Sequence, residues 1–82
     1  MAFVIYVKNE GDTATVRVFQ RLNNNESKVV FEDVIENDGR VPVDALKTDD
    51  YGDAAGEFLW EHEGSGLTDQ QVVNAGDELL VK

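Results

Sequence analysis

The chain has no cysteine, a single proline, a single histidine and a single tryptophan among its 82 residues. The missing cysteines exclude disulfides, thiolate metal centres and cysteine nucleophiles. Cations are scarce too: seven Lys and Arg stand against 17 Asp and Glu, a formal charge of −10. That balance disfavours nucleic acid and anionic lipid as direct partners, because binding to phosphate needs a cationic surface. No apolar run approaches the ~18 residues of a membrane-spanning helix. The first residues, Met1 to Lys8, lack the basic lead and small-residue cleavage site of a secretory signal. The expected location is the cytoplasm.

What remains is one small domain, since a chain of this length buries only roughly 60% of the surface its unfolded form exposes. An apolar content of 41% is enough for a folded core. The charge is unevenly divided along the chain. Residues 1–47 hold eight acids and six bases, for −2, whereas residues 48–82 hold nine acids and only Lys82, for −8. Four explanations fit that imbalance: solubility, a site for a hard cation, a docking face for a basic protein, or adaptation to high salt.

Strand signals dominate. Phe3 to Val7 is a short apolar run that stops at the turn cluster Asn9-Glu10-Gly11-Asp12. Beyond it, Ala14, Val16 and Val18 alternate with Arg17, Phe19 and Arg21, the period of two of a half-buried strand. Together these segments predict an antiparallel hairpin over residues 2–22. Ser27 to Ile35 suits either a helix or a strand. Its β-branched residues favour the strand, with Val29 and Phe31 on one face and a bulge near Glu32 and Asp33. Arg40 to Ala45 predicts a short strand that Pro42 confines to an edge or a strand start. Residues 47–56 are loop by composition. Glu57 to His62 and Glu78 to Val81 predict two further strands, with Trp60 a core anchor. Thr68 is placed to cap one helical turn ahead of Gln71. The expected fold is therefore all-β, a small antiparallel β-sandwich or barrel of six to seven short strands in a single domain, 1–82.

The residues Leu67 to Val81, with their Leu-Thr-Asp turn, Gly76-Asp77 turn and final apolar strand, resemble the ending of ubiquitin-like β-grasp domains. The likeness departs from that family by one extra residue after Asp69 and by the absence of a terminal diglycine. It implies an alternative α+β fold with a crossing helix near 25–37, and gives no reason to expect a protein modifier.

Catalytic constellations are weak. His62 and Ser65 are near neighbours, but they straddle Gly64 with no third group to orient them. The neighbouring acids Glu61 and Glu63 place His62 on the surface in this reading. Those two acids lack any cleft to divide acid and base roles between them. No phosphate loop or zinc ligand set is present. The acidic stretch Asp49, Asp50, Asp53 and Glu57, interleaved with Gly52 and Gly56, offers the oxygens and flexibility that calcium takes. Its spacing does not match the helix-flanked calcium loop. Arg17, Phe19 and Arg21 share a strand face that, if open, combines the aromatic and Arg side chains enriched in interface cores.

These features predict a non-enzymatic acidic module for protein–protein interaction or structural assembly. Its partner would be a protein, basic or a second copy, paired at sheet edges near Pro42 or the terminal strands in the case of self-association. The alternatives are a calcium-binding β domain using the 49–57 loop, and an acidic mimic of nucleic acid seated in a basic groove.

Overall fold

The computed structural model describes residues 2–23, 26–63, 66, 68 and 70–82. The chain forms seven strands: β1 (Phe3–Asn9), β2 (Ala14–Arg21), β3 (Ser27–Ile35), β4 (Arg40–Ala45), β5 (Ala55–His62), β6 (Gln71–Asn74) and β7 (Glu78–Val81). They pack as a sandwich. One sheet has three strands in the order β4-β1-β7, and the other has four in the order β3-β2-β5-β6. Every pairing is antiparallel except β1 with β7, which run parallel from Tyr6 opposite Glu78 to Asn9 opposite Val81. The all-β expectation is met.

Period-two alternation produces the core. Phe3, Ile5 and Val7 of β1 face inward, as do Ala14, Val16 and Val18 of β2, and they meet Phe58, Ile35, Val43, Leu79 and Val81 between the sheets. Phe58 is fully buried at the centre of this packing. The two sheets are also clipped together by a polar side chain. Buried Gln20 donates from Nε2 to the Leu46 carbonyl and accepts at Oε1 from the Leu46 N–H, each at 2.8 Å, and so imitates a strand partner for the end of the β4 segment. Gly56 makes room for this clip, since a Cβ there would lie 3.0 Å from Gln20 Nε2 and from the Phe58 ring.

Three expectations are corrected. First, β1 and β2 do not form a hairpin; they belong to different sheets and face each other across the core. Alternation in both strands reports one buried face each and says nothing about hydrogen-bond partners. The link is steered across by Asn9, whose buried amide donates to the Asp12 and Ile35 carbonyls at 2.8 Å and accepts from the Gly11 N–H at 2.9 Å. Second, the helix that a ubiquitin-like fold requires near 25–37 is absent from the described residues, because Ser27–Ile35 is strand β3. Its bulge falls at Val30 rather than at Glu32 and Asp33, between the pairs Val18 with Phe31 and Phe19 with Val29. Val29 therefore turns outward and Phe31 inward, on opposite faces. Third, Gln71 starts β6 rather than a helical turn. Thr68 instead bonds to Trp60, donating from its N–H to the Trp60 carbonyl at 3.0 Å and accepting the Trp60 N–H at Oγ1 at 3.1 Å. Asp69, Gly64 and Ser65, on which parts of the cap and of the His62–Ser65 pair depended, lie outside the described residues.

Pro42 sits on β4, an edge strand, as its missing N–H demands. Trp60 lies on the inner face of β5 opposite Val18 and packs against the core, partly buried. Its indole N–H has no partner among the described residues.

Candidate protein-interaction face

The outward side chains of β2 line up with those of its two neighbours into rows that cross the four-stranded sheet. Register places Arg17 between Glu32 of β3 and Glu61 of β5, Phe19 between Val29 and Leu59, and Arg21 between Ser27 and Glu57. Val72 of β6 extends the last row beyond Glu57. The surface that results is an apolar band, Val29, Phe19 and Leu59, bracketed on both sides by charged rows. Of the four large hydrophobic residues that are most exposed, Val29 (42%), Val34 (56%) and Val72 (51%) all lie on this side of the molecule. Val29 belongs to the apolar band, whereas Val34 lies beyond the Arg17 and Glu32 row and Val72 beyond Glu57 on the far edge strand.

The arginines here do not make a cationic patch. Arg17 donates to the same Glu32 oxygen from Nε at 2.9 Å and from Nη2 at 2.6 Å, and its third nitrogen, Nη1, lies 3.6 Å from Glu61. The hydrogen bond and charge of Glu32 raise the Arg17 pKa above its ordinary value, so it is a cation throughout the accessible pH range. Two arginines against Glu32, Glu57 and Glu61 leave the face slightly acidic, and its character is alternation of sign by strand: β2 is basic and both neighbours are acidic. The residues read from sequence as an interaction surface, Arg17, Phe19 and Arg21, are thus brought together on one open face. Val29, Glu32, Leu59 and Glu61 complete it. Leu59 and Glu61 were missed because β5 pairs with β2 across more than thirty intervening residues, and Val29 and Glu32 because the bulge at Val30 sets which β3 side chains face outward.

Beside Arg21 the face runs into a shallow cavity of about 190 Å³, lined by Arg21, Tyr51, Asp50, Glu57 and Gln70 among others. It is smaller than the ~300–1,000 Å³ of typical small-molecule sites. Tyr51 donates its hydroxyl to Glu57 at 2.9 Å, and that bond, together with burial, raises the phenol's pKa above its ordinary value of 10.0.

The acidic loop does not gather into a cation site. Its backbone is tied by a bridge between Thr48 and Gly52, with Gly52 at φ +60°, and by the Asp49 N–H donating to Asn23 Oδ1 at 2.9 Å. Asp49, Asp50 and Asp53 point to solvent while Glu57 is engaged by Tyr51. No group of three or more His, Asp or Glu side chains among the described residues is placed to hold a metal ion.

His62 is a further correction: it is buried, on the inner face of β5, whereas Glu61 projects from the outer one. Its Nε2 lies 3.2 Å from both Asn9 Oδ1 and the Asp12 carbonyl. Both are acceptors, because the Asn9 amide nitrogen is already donating elsewhere, so Nε2 carries the proton. The side chain is a structural strut of the β1–β2 crossing.

No helix among the described residues is long and apolar enough to cross a membrane. Comparison with protein-family models, with curated proteins and with solved structures finds no match for the chain.

Proposed function

We propose that the protein is a binding module that works by docking another protein on the outer face of its four-stranded sheet, and not by catalysis. The observation that carries this reading is the Val29, Phe19 and Leu59 band, bounded on one side by the ion-paired Arg17 row and on the other by the row of Arg21 and Glu57. An apolar centre containing an aromatic side chain, ringed by polar groups that exclude water, is the composition of interface hot spots. Arg17 is held in place by Glu32 before any partner arrives, which reduces the side-chain entropy lost on docking. The cavity by Tyr51 is shallow, and two of the titratable groups around it, Tyr51 and Glu57, are bonded to each other.

The test is a photo-crosslinking amino acid placed at position 19, compared with the same group at Leu80 on the opposite sheet. The expected result is a single product at position 19, identified by mass spectrometry and abolished by R17E. Equal labelling from both positions, or none from position 19, would overturn the reading.

A further inference from the structure

The face is self-complementary, and we infer that its occupant is a second copy of this chain, docked so that β2 of each protomer lies over β5 of the other. This rests on the docking role proposed above and adds the partner and the register.

Consider how two copies of this face can meet about a two-fold axis, the symmetry of most homodimers. An axis running along β2 sets Arg17 against Arg17 and Arg21 against Arg21 of the second copy. An axis running across the strands sets Arg17 against Arg21 and Glu61 against Glu57, so every charged position meets its own sign. A third axis runs along the strands midway between β2 and β5. It sets Arg17 over Glu61, Phe19 over Leu59 and Arg21 over Glu57, and the two-fold repeats all three contacts. The two columns match because β2 and β5 are in register with one another: residues that are neighbours within one chain become opposites across the axis. Only this arrangement pairs unlike charges at both ends while stacking the apolar rows at the centre. Sheets packed face to face cross at about −30°, which displaces the two end contacts by only a few ångströms, within reach of an arginine side chain.

The contact is modest. Four strands at ~4.8 Å spacing and about seven residues at ~3.4 Å rise give a face of roughly 450 Å² per copy. The pair would then bury about 900 Å², below the ~1,200–2,000 Å² of stable complexes, so association belongs in the micromolar-to-millimolar range. A charge of −10 on each copy adds long-range repulsion that physiological salt screens beyond about 8 Å.

Sedimentation equilibrium of the purified chain in ~0.15 M salt, from ~10 μM to ~1 mM, tests this directly. A monomer–dimer equilibrium is expected. F19T should weaken it at least tenfold, and R17E or E61R alone should do the same by placing like charges opposite one another. The double swap R17E/E61R, with its net charge unchanged, should restore association to within a few-fold of the parent. Circular dichroism establishes that each variant is folded, and the charge swaps probe the register even if F19T does not fold. A monomer at every concentration would overturn the self-docking inference, as would a dimer indifferent to these substitutions. The docking role itself would survive a monomeric result if position 19 still crosslinked to a different protein, and would fall with it if position 19 crosslinked to nothing.

Discussion

The two outer faces of the sandwich treat their aromatic residues in opposite ways. On the three-stranded sheet, Tyr6 is covered by its own chain: the Arg40 guanidinium sits 3.9 Å above the ring centre and is anchored by Glu78 at 2.6 Å. On the four-stranded sheet, Phe19 has a cation on either side of it along the strand, but Arg17 is drawn sideways to Glu32 and Glu61. The same residue types close one face and leave the other available. The difference comes from register, since Arg40 lies one strand away and diagonal to Tyr6, whereas Arg17 and Arg21 share a strand with Phe19 and find acids directly across from them.

A change that breaks both faces together should have the largest effect. Phe58→Ala empties the centre of the shared core and is expected to cost about 3–5 kcal/mol in a denaturant titration. Gln20→Ala cuts the clip between the sheets and leaves the Leu46 N–H and carbonyl without their partner. The expected loss is about 1–3 kcal/mol, with faster amide exchange in residues 46–54.

The next pair of changes separates the faces. Tyr6→Thr and Phe19→Thr each remove a half-buried cross-strand aromatic and should each lower stability by about 1 kcal/mol. Association measured by sedimentation should weaken only for Phe19→Thr. Equal effects on association would erase the distinction between the two faces. A smaller effect belongs to Glu78→Gln. This releases Arg40 from an exposed pair, so a melt should show no more than about 1 kcal/mol at low salt and less at high salt.

The smallest effect concerns Tyr51, at the margin of the docking face. Its folded-state pKa is raised, so the contribution of its bond to Glu57 is complete below the ordinary value of 10.0 and is lost as pH rises through the folded value. Ultraviolet titration should show a late phenolate component that Tyr51→Phe removes. The parent's stability advantage over that variant should disappear at the same alkaline pH.

Much of this architecture was legible in the sequence. The alternation of β2, the β-branched β3 and Pro42 at an edge led to an all-β sandwich, and the grouping of Arg17, Phe19 and Arg21 on one strand face followed from the period of two. The pairing of strands was not legible. A four-residue link between β1 and β2 reads as a hairpin turn, but long-range bonds, among them the Asn9 side chain to carbonyls 3 and 26 residues away and His62 to the Asp12 carbonyl, hold the link as it passes into the other sheet. His62 misled because its acidic neighbours suggested exposure, while alternation along β5 directs it inward to Asn9. The charge imbalance between the two halves of the chain is likewise a long-range property. Arg17 and Arg40 from the first half lie against Glu61 and Glu78 from the second, so an asymmetry along the sequence becomes pairing in space.

The most direct test of the account is a pair of two-dimensional ¹H–¹⁵N spectra recorded at ~50 μM and ~1 mM, a span that brackets the weak association expected of so small a contact. Concentration-dependent shifts should concentrate on β2 and β5, with Arg17, Phe19, Leu59 and Glu61 among the largest, and leave Tyr6, Arg40 and Leu80 unmoved. Shifts confined to β1, β4 and β7 would contradict it, because the face closed by Arg40 would then be the one in use.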